Sequence, residues 1–511
     1  VSILISGGLK GISMTTATET TTLCRNYING KWVDSKSTKV VERRNPANTD
    51  DVVARIPLST RQETKEAIVA AKAAFPAWRD TPAPARGNIL FKAVRIMQEQ
   101  KEELARLLTR EEGKALKDSL GEVQRAINIT EFMAGEARRL TGETLPSELP
   151  KNFSYTIRQP LGVVGIITPW NFPVAIPVWK IAPALVCGNT VVFKPATLTP
   201  LTAMRVVEIF EQAGLPPGVL NLVMGSGKDT GDELVQNPHV HGLSFTGSNE
   251  VGSQLYATGA LGMKKCQCEM GGKNPIVILA DADLQLAMES ALFGAFASTG
   301  QRCTATSRVI IEEKVADQWV AMLVERAKKF AVGDGLEAGV EMGPSVDESQ
   351  MNTVLRYIEI GKKEAKLECG GERLSGAKYD KGWFVAPTVF DHVRADSVIA
   401  QDEIFGPVLS VIRVKNFDEA LEAANSVRFG LTSAIYTTDS NKIFEFIDKI
   451  ETGMTHVNSP TVGGEAHVPF GGTKGTSVGP KEVGRSALDF YTELKVVYID
   501  YTGRKRESSI Y

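Results

Sequence analysis

The chain has 511 residues, 43% of them hydrophobic and 23% charged, an ordinary globular composition several domains long that excludes collagen-like and disordered chains. Lysine and arginine number 58 against 60 aspartate and glutamate, a formal charge of -2 with no like-charge block to bind a nucleic acid, so no nucleic-acid partner is expected. No run reaches the roughly 20 consecutive apolar residues of a bilayer helix, so no membrane span is expected, and six scattered cysteines are too few for a disulfide scaffold, which points to reduced thiols and a cytoplasmic setting.

In chain order, Val1 to Ser13 precede Met14 and carry no basic stretch ahead of Ile3-Leu4-Ile5, a poor secretory signal; residues 1–21 are expected to be disordered or vector-derived. Tyr27 to Val33 holds an Asn-Gly hairpin signal. Helical spacing from Thr60 to Arg139 predicts three amphipathic helices, one of them running from about Ser119 to Leu140. Phe153 to Pro160 alternates like a strand. Buried-strand runs follow at Val163-Ile167, Thr190-Phe193, Val219-Val223 and Gly242-Phe245, separated by helix-length stretches. A second series runs through Pro275-Leu279, Arg308-Ile311, Pro407-Val411 and Ser433-Tyr436. Alternation of this kind predicts two doubly wound α/β units, the second starting near Gly271.

Several stretches carry residues fit for chemistry. Gly247 to Gly252 follows a strand and opens a helix, where backbone amides can face a pyrophosphate, although the same pattern suits a plain turn. Phe296 to Thr304 is small and polar around Cys303, at an expected loop-to-helix junction where helix-start amides would favour a thiolate; a buried structural cysteine is the bland alternative. Glu269 ends a strand-like run beside Gly271-Gly272 and is a candidate general base or an exposed strand end. Thr168 to Pro173 follows the strand ending at Ile167, which puts Asn171 in the crevice as an oxyanion donor or a turn residue. Cys266 and Cys268 lack the second ligand pair that zinc requires, so no metal is expected.

Together, Thr168-Pro173, Lys194-Pro195-Ala196, Phe245-Gly252, Glu269-Lys273, Gly300-Cys303, Glu403-Pro407 and Pro469-Gly472 resemble, in order, the blocks of the NAD(P)-dependent aldehyde dehydrogenase superfamily over roughly residues 25 to 500. The resemblance implies a cofactor-binding domain (22–140 and 162–270), a catalytic domain (271–484) and an oligomerisation element (141–161 and 485–503) that builds a homodimer or homotetramer. It implies that Cys303 is the nucleophile, that Asn171 and the Cys303 amide form the oxyanion hole, and that Glu269 activates the water. For NADP or NAD it implies Lys194 and Thr197 by the adenine ribose, Thr168, Trp170, Gly247, Ser248 and Gly252 toward the pyrophosphate, and Met270, Glu403 and Phe405 toward the nicotinamide. Strongly NAD-preferring members often carry a glutamate where this chain has Thr197, so acceptance of NADP is expected.

Within the family, Gly300-Thr304 and Gly463-Pro469 look most like dehydrogenases of α-ketoglutaric semialdehyde (2,5-dioxopentanoate), an aldehyde carrying a carboxylate. Arg125 aligns with the substrate tunnel and suits a distal carboxylate. Arg302 is a second candidate, and Phe172, Trp179 and Phe470 are expected to line the pocket. Succinic semialdehyde is an alternative, weakened by Trp179-Lys180 where that group has an arginine. A non-catalytic crystallin-like relative and a thiol hydrolase are alternatives of other classes. Lys474 to Glu482 departs from the family pattern by an extra residue and Pro480, a change expected to affect subunit packing more than chemistry.

Overall fold

The computed structural model describes residues 21–505, so the stretch before Met14 lies outside the described residues. The Asn-Gly signal is a hairpin of Asn26–Ile28 and Lys31–Val33, with Asn29 (φ 51°) and Gly30 (φ 75°) both left-handed as a primed two-residue turn requires.

The hairpin ends an eight-stranded sheet whose order is Ser477–Val478, Lys265–Glu269, Val240–Thr246, Val163–Ile167, Thr190–Lys194, Leu220–Leu222, Asn26–Ile28 and Lys31–Val33. Its five central strands, Lys265–Glu269 through Leu220–Leu222, are parallel. Four of them are the buried runs of the sequence, while Lys265–Glu269 joins at the edge with polar residues, and the sheet is buried on both faces because helices cover it. Chain order reverses between Val163–Ile167 and Val240–Thr246, which opens a crevice at their carboxyl ends.

A second sheet of seven strands begins immediately after Glu269, in the order Lys366–Cys369, Thr388–Asp391, Val408–Val414, Thr306–Glu312, Asn274–Ile278, Thr432–Tyr436 and Met454–Val457. All its pairings are parallel except that of Lys366–Cys369 with Thr388–Asp391. Two doubly wound sheets are therefore present, as the alternation of runs predicts. A third, antiparallel sheet pairs Asn152–Pro160 with Thr144–Leu145 on one side and Thr492–Asp500 on the other, and exposes Phe153, Ile157, Leu494, Val496 and Tyr498.

The helical segment differs from expectation. It contains four helices, Arg61–Asp80, Ala83–Glu99, Lys101–Glu112 and Leu116–Glu136, because the chain breaks at Gln100 (φ -97°, ψ 10°), where neither proline nor glycine marks it. The last helix starts three residues earlier and ends four earlier than predicted. Among the described residues no helix is long and apolar enough to cross a membrane.

Arg308 locks the second sheet to the site. It is fully buried, and its guanidinium donates to the carbonyls of Lys273 (3.0 Å), Ala423 (2.8 Å) and Ala424 (2.9 Å), joining the loop after Glu269 to the helix Phe417–Asn425. Arg308→Met leaves three buried acceptors unpaired and is expected to cost about 2 to 5 kcal/mol in urea unfolding; an unchanged midpoint would show that water replaces the guanidinium.

Candidate active site

A cleft of about 700 Å³ occupies the crevice of the first sheet. Thr168, Trp170 and Asn171 enter it from the end of Val163–Ile167, Lys194 and Thr197 from the end of Thr190–Lys194, and Gly247 and Ser248 from the end of Val240–Thr246. Met270, Glu403, Phe405 and Cys303 close the opposite wall. Ser248 caps the helix Asn249–Leu261, accepting from the Val251 amide at 3.4 Å, so the positive end of that helix borders the cleft. Gly252 does not reach the cleft: it packs beneath Met270, whose sulfur a β-carbon there would strike.

Lys194 is buried, and burial lowers its ammonium to about 8. Its Nζ donates to the Pro195 carbonyl (2.9 Å), and among the described residues no carboxylate pairs with it. A buried, charge-unpaired ammonium beside a helix amino terminus is matched to a phosphate-bearing dinucleotide. Glu403 Oε1 accepts from the Gly272 amide (2.9 Å), and burial raises this carboxyl to about 7. A β-carbon at Gly271 would meet Glu403 Oε2, so glycine there lets the carboxyl keep its place. Phe405, with φ 56°, meets Trp170 edge to face at 5.5 Å between ring centroids.

Cys303 is the one cysteine among the described residues that is not buried. It does not stand at a helix start. The helix Leu284–Phe296 ends, a 3-10 turn Ala297–Gly300 follows, and the thiol lies in the loop leading to the strand Thr306–Glu312. No helix amides therefore favour the thiolate; desolvation first, then the charges of Glu403 and Glu269, raise the thiol to about 12, opposed by Arg125. The turn is itself unusual, since Ser298 (φ 51°) and Thr299 (φ 60°) are both left-handed, at a cost of about 1 to 2 kcal/mol each. Asn171 Nδ2 donates to the carbonyl of Gln301 at 3.1 Å, tying the two halves of the candidate oxyanion site together.

Glu269 ends its strand as the sequence indicates, buried. Its carboxyl rises to about 8 through burial and the neighbouring Glu482, while Ser477, Lys481 and Lys180 pull the other way. Ser477 donates from Oγ to Glu269 Oε2 at 2.5 Å, Lys481 Nζ bonds the Gly472 carbonyl, and Lys180 is ion-paired to Glu482. The irregular Lys474 to Glu482 loop therefore packs against the candidate base, which corrects the expectation that its departure bears on subunit packing more than chemistry.

A second cavity of about 770 Å³ approaches the loop of Cys303, with Phe172, Arg125, Arg302 and Thr304 in its wall. Asn171 and Cys303 thus line one cavity while their neighbours Phe172 and Thr304 line the other. Arg125 is half-buried between the rings of Trp179 (5.3 Å to the centroid) and Phe470 (5.8 Å), and its Nε is buried with no hydrogen-bond partner among the described residues. Arg302, in contrast, is committed to Asp118 Oδ1 (3.3 Å) and Ser298 Oγ (2.8 Å) and lies over the Phe293 ring. Its Nε, like that of Arg125, has no hydrogen-bond partner among the described residues, so Arg302 is only partly engaged.

Sequence reasoning missed Lys114, Glu122, Asp118, Ser477 and Lys481. Lys114 Nζ donates to Glu122 Oε2 (2.7 Å) and to the Asn171 carbonyl (2.5 Å), while Glu122 Oε1 accepts from the Val174 and Ala175 amides. One signal was readable: Asp118, Glu122 and Arg125 recur at helical spacing and share a face.

Parallel strands that feed a dinucleotide-sized cleft, with a free thiol and a buried carboxyl in and beside it, define a nucleotide-dependent α/β oxidoreductase. The chain belongs to the aldehyde dehydrogenase family, whose family model matches residues 32–497. It is 46% identical over 475 residues to the α-ketoglutaric semialdehyde dehydrogenase of Bacillus subtilis (strain 168), covering 93% of this chain and 97% of the relative. It is 48% identical to the 2,5-dioxopentanoate dehydrogenase of Saccharolobus solfataricus (92% and 98% covered) and 42% identical to malonate-semialdehyde dehydrogenase 2 of Geobacillus kaustophilus (95% and 99% covered). The crystal structure of betaine aldehyde dehydrogenase from Staphylococcus aureus in complex with NAD+ superimposes with a TM-score of 0.92 at 34% identity, over 94% of this chain and 96% of that one. The protein is an aldehyde-oxidising enzyme of a family that uses NAD(P).

Proposed function

We propose that the enzyme oxidises a small aldehyde bearing a distal carboxylate, with α-ketoglutaric semialdehyde as its substrate. The observation that carries this is Arg125: a half-buried guanidinium between two aromatic rings, its Nε without a partner among the described residues, in the cavity whose wall holds Arg302 and Thr304 on either side of Cys303. A carboxylate supplies the missing acceptors in fork geometry, a charge-assisted pairing that a neutral aldehyde cannot make. The names of the three relatives more than 40% identical, each a dehydrogenase of a carboxylated semialdehyde, support the same class. Six free thiols support a cytoplasmic setting. The exposed apolar residues of the antiparallel sheet support a homodimer or homotetramer built through 141–161 and 485–503, with 22–140 and 162–270 as the cofactor-binding part and 271–484 as the catalytic part.

In this reading the Cys303 thiol gives its proton up to water, its sulfur attacks the aldehyde carbon, and the resulting oxyanion is held by the Asn171 amide and the Cys303 backbone N–H, donors of a kind worth about 3 to 4 kcal/mol. A nicotinamide dinucleotide bound there would supply the hydride acceptor for this carbon. Lys194 and Thr197 hold the adenosine end, Ser248 and Trp170 the pyrophosphate, and Glu403 and Phe405 the ribose and ring at the other end. The thioester on Cys303 is then hydrolysed by a water whose proton passes to Glu269, releasing the carboxylic acid and the thiol.

Three outcomes test this reading. Arg125→Met is expected to raise KM for α-ketoglutaric semialdehyde by about 100-fold or more while moving KM for propanal less than about threefold; equal effects on both would remove Arg125 from substrate binding, and preference for malonate semialdehyde in the wild type would shorten the substrate. Glu269 must be ionised to accept a proton, and with its carboxyl raised to about 8, its ionised fraction falls as pH drops below that value. Where thioester hydrolysis limits turnover, kcat is therefore expected to rise with pH up to about 8 and then level, and Glu269→Gln to lower kcat by about 100-fold or more and abolish that limb; a flat wild-type profile would assign the base elsewhere. Thr197 adds no negative charge beside Lys194, so NADP is expected to be accepted, and Lys194→Ala to raise KM for NADP about tenfold more than KM for NAD, measured by initial rates with each; equal losses would place discrimination elsewhere.

A further inference from the structure

The nucleophile loop is held in a conformation that its own residues disfavour, and the groups that hold it belong to a distant helix. Ser298, Thr299 and Gly300 are consecutive and all left-handed, with φ 51°, 60° and 65°. Glycine adopts this region freely; serine and β-branched threonine do not. Such a turn persists only where its surroundings over-determine it.

The surroundings are specific. Asp118, in the first turn of the helix Leu116–Glu136, accepts at Oδ2 from both the Ser298 amide (3.0 Å) and the Ser298 hydroxyl (2.9 Å). Its other oxygen faces Arg302 at 3.3 Å, and Arg302 donates in turn to Ser298 Oγ at 2.8 Å. Both side chains are more than nine-tenths buried. Thr299 Oγ1 donates to the Gly343 carbonyl (3.0 Å), and the Gln301 amide returns to the Ser298 carbonyl (3.0 Å), which closes the turn. Two residues beyond Gln301 comes Cys303, and the Gln301 carbonyl is the group to which Asn171 donates. One carboxylate therefore sets the start of a short covalent path that fixes both the thiol and the candidate oxyanion donor.

We infer that Asp118 is a positioning residue for the nucleophile loop, holding Ser298 in its left-handed conformation. This rests on the reading of Cys303 as the nucleophile. It adds that the helix Leu116–Glu136 carries two separable functions on one face, Asp118 acting on the chemistry of every aldehyde and Arg125, two turns on, acting on the choice among them. Loss of Asp118 displaces the thiol without emptying the substrate cavity, and misplacement of a reacting group by about 1 Å costs on the order of 100-fold in rate.

The test uses the full chain with NAD+, propanal and α-ketoglutaric semialdehyde. Asp118→Asn is expected to lower kcat by about 10- to 100-fold for both aldehydes, with each KM moving less than about threefold. Adding Ser298→Gly, which takes the left-handed backbone without a carboxylate to impose it, is expected to return kcat to within about threefold of wild type. Should Asp118→Asn be recovered only as aggregate, Ser298→Ala removes the hydroxyl link alone and is expected to lower kcat about three- to tenfold, again for both aldehydes. Unchanged kcat, a loss confined to the carboxylated aldehyde, or no recovery in the double variant overturns the proposal. Carboxamidomethylation of Cys303 in the wild type, followed by peptide mass spectrometry, separates the two levels: if turnover survives that modification the nucleophile reading itself has failed, whereas if it is abolished and Asp118→Asn is fully active only the positioning role has.

Discussion

The site depends on a buried ion pair that takes no part in the chemistry. Lys114 and Glu122 are both shielded from water, and removing two charges from solvent costs several kcal/mol for each ion unless their remaining donors and acceptors are used. Here they are used. The ammonium donates to Glu122 and the Asn171 carbonyl and faces the Phe172 ring at 4.1 Å, while the carboxylate accepts two amides at the start of the helix Ala175–Val186. The segment between strand and helix, which would otherwise be a free connection, is thereby fixed at both ends. Asn171 and Phe172 form the partition between the two cavities, so the pair determines where one stops and the other begins.

Much of this was legible in the sequence because the first-order constraint on a parallel sheet is burial on both faces. Val163-Ile167, Thr190-Phe193 and Gly242-Phe245 are uninterrupted apolar runs, and whatever follows such a run lies at the carboxyl edge of the sheet; Thr168, Lys194 and Gly247 could be placed on that ground. Contacts between those edges were not legible. Ser477 meets Glu269 across 208 positions, Asp118 meets Ser298 across 180 and Lys114 meets Asn171 across 57, and no local periodicity records such pairs. Cys303 shows the same limit. A small, polar, glycine-bearing stretch suits a loop before a helix as well as one before a strand, and only the left-handed turn at Ser298 and Thr299, a conformation that neither residue type advertises, settles its direction.

The helix Leu116–Glu136 has several tasks on one face, which explains why its position is more constrained than a covering helix requires. Asp118 grips the nucleophile loop, Glu122 grips the segment of Asn171, and Arg125 reaches between Trp179 and Phe470. Glu122 is held by Lys114 and Asp118 by Arg302, so each carboxylate has its own cation and neither neutralises Arg125. Arg125 is left with aromatic faces, which attract a cation electrostatically without quenching its charge. The charge available to a ligand in the second cavity is thus set by how the other charges on that face are paired.

Balance also governs the base. Glu269 sits in a buried quartet with Lys180, Lys481 and Glu482, in which burial and Glu482 favour the protonated carboxyl and the two lysines with Ser477 favour the anion. Lys180 is engaged by Glu482, and Lys481 spends its donor on the Gly472 carbonyl, so neither neutralises Glu269 directly. The carboxyl consequently titrates near the working range of an enzyme instead of near 4, the condition under which one group both accepts a proton from water and returns it. Since Ser477, Lys481 and Glu482 all come from the irregular stretch after Lys474, a change in the length of that loop moves three of the groups that set the balance at once. Its sequence is therefore bound to the proton chemistry of the site and not merely to the packing around it.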